Sequence, residues 1–126
     1  MIRRTERGWA GHFICADRCR FRRNTLLEDN KYKIIVSTVG NMTSMNEKTT
    51  DTVGLDRYYE TMVFIGKDDG VYIDIDVSKR VPFDSEWRIN EYKSEGIDNK
   101  ANDMHEKVVD EITRQMETGT ISISEY

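Results

Sequence analysis

Arginine dominates the residues of this chain that could do chemistry. Residues 1–24 hold Arg3, Arg4, Arg7, Arg18, Arg20, Arg22 and Arg23 against only Glu6 and Asp17, a local charge of +5 in a chain of net charge -4. The other 102 residues therefore carry -9, so the basic charge is focused. Lysine would serve solubility equally well, whereas the planar guanidinium fork suits bidentate capture of phosphate or carboxylate. Strand-like alternation over residues 19–24 predicts Arg18, Arg20 and Arg22 on one side and Cys19, Phe21 and Arg23 on the other. Two readings stand side by side: ion pairing with the acidic remainder of this chain or of a second subunit, or an anion pocket. Aromatic residues beside further cations, Arg57 with Tyr58 and Tyr59, and Phe83 with Trp87 and Arg88, would add stacking for a base and turn such a pocket toward a nucleotide.

Other reactive groups give weaker patterns. His12, Cys15 and Cys19, with His105 as a fourth, have the ligand types of a zinc site, but H-x2-C-x3-C is not a common tetrahedral spacing, and no metal is expected. His105 falls on an apolar helical stripe and reads as a satisfied, semi-buried histidine before a general base. Asp74 and Asp76 make a D-x-D that could hold a divalent ion for hydrolysis; the same residues also belong on the solvent face of a half-buried strand. The sequence has no Gly-rich phosphate loop before a helix and no G-x-S-x-G. Binding without catalysis, and without a cofactor, is the expectation.

The elements that would position these groups follow from periodicity. Residues 8–15 (GWAGHFIC) read as an edge-type strand, and residues 31–39 (KYKIIVSTV), rich in β-branched side chains after a turn at Glu28-Asp29-Asn30, read as a strand. The polar residues 41–56 lack periodicity and predict an exposed loop. A hairpin is predicted from residues 58–66 and 70–77, with Val71, Ile73, Ile75 and Val77 facing inward. Pro82 breaks the chain before residues 83–90, whose pattern fits neither strand nor helix clearly. Residues 98–117 predict an amphipathic helix: Ala101, Met104, His105, Val108, Ile112 and Met116 share one face, Asp98 or Asn99 caps the start and Gly119 follows the end. Residues 120–126 alternate and could add a short strand at an edge or across a subunit interface. The fold class is therefore α+β, one domain over residues 1–126, with an antiparallel sheet in about residues 8–90 packed against the C-terminal helix.

Composition narrows the class. A chain of 126 residues with 33% charged residues is one ordinary soluble domain, and its net acidity argues against a nucleic-acid polymer as partner. No apolar run approaches the ~20 residues of a membrane helix, the first residues lack a signal-peptide pattern, and two cysteines four apart suit a reducing compartment. A cytoplasmic location is expected.

Taken in order, RGWAGHFICADRCRFRRNTLLE, IIVSTVG, RYYETMVF, FDSEW and NDMHEKVVDEI resemble the first family of Thoeris anti-defence proteins, small phage proteins that act as sponges for immune signalling nucleotides. The blocks run from about Arg7 to about Ile112. The resemblance implies a protein in the cytoplasm of an infected bacterium that binds glycocyclic ADP-ribose, the messenger of TIR-domain proteins, and holds it uncleaved. It also implies, for some members, a separate site for the cyclic trinucleotides of CBASS immunity, and assembly as homodimers or as hexamers built from three dimers. By the same resemblance Phe83 would stack the base and Arg114 would grip phosphate; one turn before Arg114, where the family has a second arginine, this chain has Asp110. The group from Arg18 to Arg23 (Arg18, Arg20, Arg22 and Arg23) or Arg88 would then supply the missing charge. Arg57 is the candidate for the trinucleotide site, with Asn90 and Asn99 as polar contacts to base or ribose. The alternatives are a metal-dependent cyclic-nucleotide phosphodiesterase built on Asp74 and Asp76, and a nucleic-acid or protein-binding module built on the arginine strand.

Overall fold

The structure is a computed structural model of the chain, and it describes residues 1–8, 11, 19–43, 50–51, 59–68, 70, 73–81, 88–89 and 97–125; for residues 20, 41–43, 50–51, 80, 88–89 and 97–98 it describes the backbone alone. Five strands run antiparallel in the order β1 (Arg3–Arg7), β2 (Cys19–Glu28), β3 (Lys33–Thr43), β5 (Tyr59–Asp68) and β6 (Ile73–Ile75). Two short strands join them, β4 (Thr50–Asp51) on β3 and β8 (Arg88–Ile89) on β5. A separate pair is formed by β7 (Lys79–Arg80) and β9 (Ser124–Glu125), and the one helix among the described residues, α1, spans Ile97–Thr118. The architecture is the expected α+β arrangement of an antiparallel sheet with a C-terminal helix on it.

The β2–β3 hairpin organises the sheet, with pairs running from Cys19↔Met42 to Glu28↔Lys33. Its turn is tied by the Asp29 carboxylate, which accepts from the backbone N–H groups of Lys31 and Tyr32 at 2.8 and 2.7 Å. Because strand side chains alternate, this register puts Phe21, Arg23, Thr25 and Leu27 on one face together with Ile34, Val36 and Thr38 of β3 and Tyr59, Thr61, Val63 and Ile65 of β5. The helix covers that face. Its C-terminal half packs Val108, Val109, Ile112 and Met116 on Leu27, Ile34, Val36, Val63 and Ile65, with Val81 and Ile121 closing the cluster. Its N-terminal half packs Ala101 and Met104 on Tyr59, with Phe21 beside them. Each fully buried aliphatic side chain contributes roughly 1.5–3 kcal/mol, so the stripe itself accounts for why the helix forms there. Gly119, at φ +71°, ends it: Thr120 N–H reaches the Gln115 carbonyl at 2.9 Å and Gly119 N–H the Met116 carbonyl at 3.3 Å.

The opposite face of the sheet carries a smaller cluster, Leu26, Ile35 and Ile75 with Phe64 and Ile73. The two ends of the strand order meet over it, since Arg7 of β1 donates to the Ile73 carbonyl of β6 at 2.5 Å.

Several expectations need correction. The first described strand is Arg3–Arg7, whose charged run hid it; Gly8 and Gly11 lie outside any strand, and the rest of the strand expected over 8–15 lies outside the described residues. The exposed loop expected over 41–56 is partly sheet, because β3 continues to Thr43 and pairs Met42↔Asp51 and Thr43↔Thr50. The predicted hairpin is present as β5 and β6, but β5 runs on through Asp68, and Val77 is 64% exposed instead of facing inward. Strand β6 stops at Ile75, after which the Asp76 carboxylate takes the Ser78 backbone N–H at 3.0 Å and bends the chain away. Of residues 83–90, Arg88 and Ile89 are strand, paired with Glu60 and Tyr59; the rest, like Pro82, lie outside the described residues.

Candidate functional site

The arginines expected to form one cluster are divided by the alternation of β2. Arg22 is exposed, while Arg23 points toward α1 and is half-buried there. Arg23 donates to the Glu6 carboxylate, lies 2.9 Å from the Glu106 carboxylate and donates to Asn102 Oδ1 at 3.3 Å. Arg4 grips Glu106 with both terminal nitrogens, at 2.8 and 2.7 Å, and Arg3 holds Glu28 at 2.5 Å. Arg3, Arg4 and Arg23 are thus engaged with carboxylates of their own chain, the first of the two readings the sequence left open. The electrostatics agree. Hydrogen bonding from Arg4 holds the Glu106 carboxyl down to about 2, and Glu106 in turn raises the Arg4 guanidinium above its ordinary value. Burial on its own would raise the Glu6 carboxyl, but hydrogen bonds from Thr25 and Arg23 outweigh it and lower it.

Behind this ion-pair group lies a buried polar layer. His105 is completely buried between helix and sheet, with Nε2 2.7 Å from Thr25 Oγ1 and Nδ1 2.7 Å from Thr38 Oγ1. Thr25 donates its hydroxyl hydrogen to Glu6 Oε2 at 2.6 Å, so its oxygen is left to accept from His105, which places the imidazole proton on Nε2. Nδ1 then accepts from the Thr38 hydroxyl, and Thr38 accepts from Thr61 at 2.7 Å. The result is one directed chain, Thr61 to Thr38 to His105 to Thr25 to Glu6, in which the neutral imidazole has both nitrogens satisfied. Burial, followed by the neighbouring Arg23 charge, lowers the His105 imidazole to about 4. A histidine held in this way stands at neutral pH as the satisfied core residue of the sequence reading, and neither ring nitrogen is open to a metal.

The other candidates occupy separate places. Arg114 is exposed and paired with Glu111 on its own helix at 2.6 Å, a bond that, with one from Gln115, lowers the Glu111 carboxyl to about 2. Asn99 is exposed on the first turn of the same helix, and a separation of 15 positions puts the two about 22 Å apart along the axis. Arg20 and Arg88 lie in β2 and β8, with their side chains outside the description, and Phe83, Arg57 and Asn90 lie outside the described residues. Asp74 sits in β6, whereas Asp76 lies beyond it with its Oδ1 taken by the Ser78 backbone and hydroxyl, which lower its carboxyl. Among the described residues no three His, Cys, Asp or Glu converge as a metal site; Cys19 is buried, and His12 and Cys15 lie outside the described residues.

Sequence reasoning missed Thr25, Thr38, Thr61, Glu6 and Glu106. The only signal for the threonines is that each falls at an inward position of its strand, where an aliphatic side chain would be the default; nothing local marks the two glutamates. No family model, no curated protein and no solved structure matches this chain.

Proposed function

We propose that this protein binds and holds a cyclic signalling nucleotide, glycocyclic ADP-ribose, without breaking it, and so keeps the messenger from its effector in the cytoplasm of an infected bacterium. The observation that carries this reading is the ordered set of sequence blocks resembling the Thoeris anti-defence family. Four of them fall on β2, β3, β5 and α1, the elements that build the main core. Sequestration at messenger concentrations needs roughly nanomolar affinity, about -12 kcal/mol, and a doubly charged ligand reaches that only with charge-assisted hydrogen bonds and a stacked base. Arg114 suits the charged part of that task. Its present partner is a surface carboxylate three residues away, a pairing worth little in water, so phosphate replaces it at small cost.

Asn99 and Arg114, at opposite ends of one helix, are too far apart to meet one small ligand within a single protomer. A pocket using both draws them from two copies, in keeping with the homodimer, and the hexamer of three dimers, that the resemblance implies. A second site, for cyclic trinucleotides at Arg57, belongs to the same reading. No helix among the described residues is long and apolar enough to cross a membrane.

The test is titration calorimetry with glycocyclic ADP-ribose, followed by heat denaturation and mass spectrometry of the released ligand. Tight binding with unchanged ligand supports sequestration. A linearised or split product replaces it with the phosphodiesterase, and no binding, joined to salt-sensitive affinity for an oligonucleotide, replaces it with the nucleic-acid module.

A further inference from the structure

Among the described residues, the His105 layer divides the contact between α1 and the sheet into a larger and a smaller part. On the C-terminal side, Val108, Val109, Ile112 and Met116 join a cluster of eleven buried residues. On the N-terminal side, among the described residues, Ala101 and Met104 are buried against Tyr59, with Phe21 at the margin. Between them the contact is polar, His105 against Thr25 and Thr38, with Asn102 and Glu106 reaching Arg23 at the edge.

We propose that this layer is a proton-operated latch: neutral His105 holds residues 97–105 of α1 on the sheet, and protonated His105 releases that half while the half from Val108 onward stays packed. The inference is independent of the proposed ligand. It follows from the direction of the hydrogen-bond chain. A proton added at Nδ1 turns that nitrogen from acceptor to donor and points it at the Thr38 hydroxyl, whose own hydrogen now occupies the space between them. Thr38 must swing its hydrogen to Thr61, and Thr61, itself buried on the same sheet face, must find another acceptor. The charge so created sits at a completely buried ring, where an ion is costly unless paired.

The groups facing it come from every packed element. Arg4 and Glu6 lie on β1, Arg23 on β2 and Glu106 on α1, whereas β3 and β5 offer the hydroxyls of Thr38 and Thr61. Among the described residues, the titratable groups of the adjoining apolar layer are Cys19 and Tyr59, both buried. Among the described residues the nearby carboxylates, Glu6 and Glu106, are already matched by Arg4 and Arg23, so neither is free to neutralise a third cation. Admitting water relieves the charge, and the side with the smaller apolar contact among the described residues is the one that parts. Opening would bare Phe21 and Tyr59, which stand edge to face at 5.6 Å.

Hydrogen exchange followed by mass spectrometry, corrected for the pH dependence of intrinsic exchange, tests this on the whole chain. Between about pH 7 and about pH 4.5 the amides of 101–105 are expected to speed up by about tenfold or more relative to those of 108–116, and His105→Gln is expected to abolish that selective gain. Equal acceleration of both halves overturns the latch in favour of ordinary acid unfolding. A selective gain that persists in His105→Gln overturns it in favour of Glu6 and Glu106. Should that variant not fold, the ring 15N shifts of His105 in the unaltered protein decide: its protonation must track the exchange of 101–105, and a midpoint that does not overturns the proposal.

Discussion

Glu106 of the helix accepts both terminal nitrogens of Arg4 from strand β1, a bidentate pair spanning 102 residues of sequence, and the same carboxylate lies 2.9 Å from Arg23 of β2. One helical side chain thereby ties the edge strand and its neighbour to α1. Because the group is partly exposed, its worth is modest and screened by salt. Glu106→Gln is expected to lower stability by about 1 kcal/mol in dilute buffer and by less in strong salt, read as the shift of the urea midpoint. The lowered Glu106 carboxyl gives the sign with pH: its contribution is complete above about 4.5 and is lost as pH falls toward about 2. A loss that grows with salt would contradict this account of the pair.

His105 gives a second pH dependence, in a higher window. Its folded-state value of about 4 lies below the ordinary 6.5, so the unfolded chain binds the proton more readily and stability rises with pH between them. The contribution is complete above about 6.5 and lost as pH falls toward 4, amounting to about 3 kcal/mol. Urea midpoints measured along that range should fall steadily in the unaltered protein and much less in His105→Gln; a flat profile in the unaltered protein would remove the neutral buried imidazole from the account.

Gly40 is fixed by proximity, not by backbone angle. A Cβ added there would run into the ring of Tyr59, its cross-strand partner, which is itself buried against Ala101 and Met104. Neither backbone nor packed ring yields easily, so Gly40→Ala is expected to cost about 1–3 kcal/mol. Thermal unfolding checks this, and an unshifted midpoint would mean that the ring has room to move.

Two of the described arginines of the proposed site, Arg114 and Arg23, should behave differently. Arg114→Ala removes an exposed ion pair within the helix, so it is expected to leave the fold intact and weaken glycocyclic ADP-ribose, as is Phe83→Ala. Arg23→Ala opens the Glu6 and Glu106 group and is expected to lower stability as well. Arg57→Glu is expected to weaken cyclic trinucleotides more than glycocyclic ADP-ribose. Calorimetry with paired melting curves separates these outcomes. Unchanged affinity in both Arg114→Ala and Phe83→Ala removes those residues from the site, and equal loss of both ligands in Arg57→Glu means one shared pocket.

The sequence by itself determined β3, the β5–β6 hairpin and the helix with its buried stripe, because periods of two and of 3.6 residues are local and each apolar face must be covered, whereas of β2 it showed only the alternation of residues 19–24. It identified His105 as a core position for the same reason. Strand β1 escaped that reading because its exposed run RRTER has no apolar alternation, and its identity as a strand comes from pairing with β2. Only the tertiary structure decided what the arginines do. Arg22 and Arg23 are neighbours of the same type, yet one faces water and the other faces carboxylates 17 and 83 positions away, because the β2–β3 register turns one outward and the helix brings Glu106 to the other. The threonines around His105 were likewise invisible as a group, since a hydrogen-bond chain across three strands and a helix exists only after all four have been packed together.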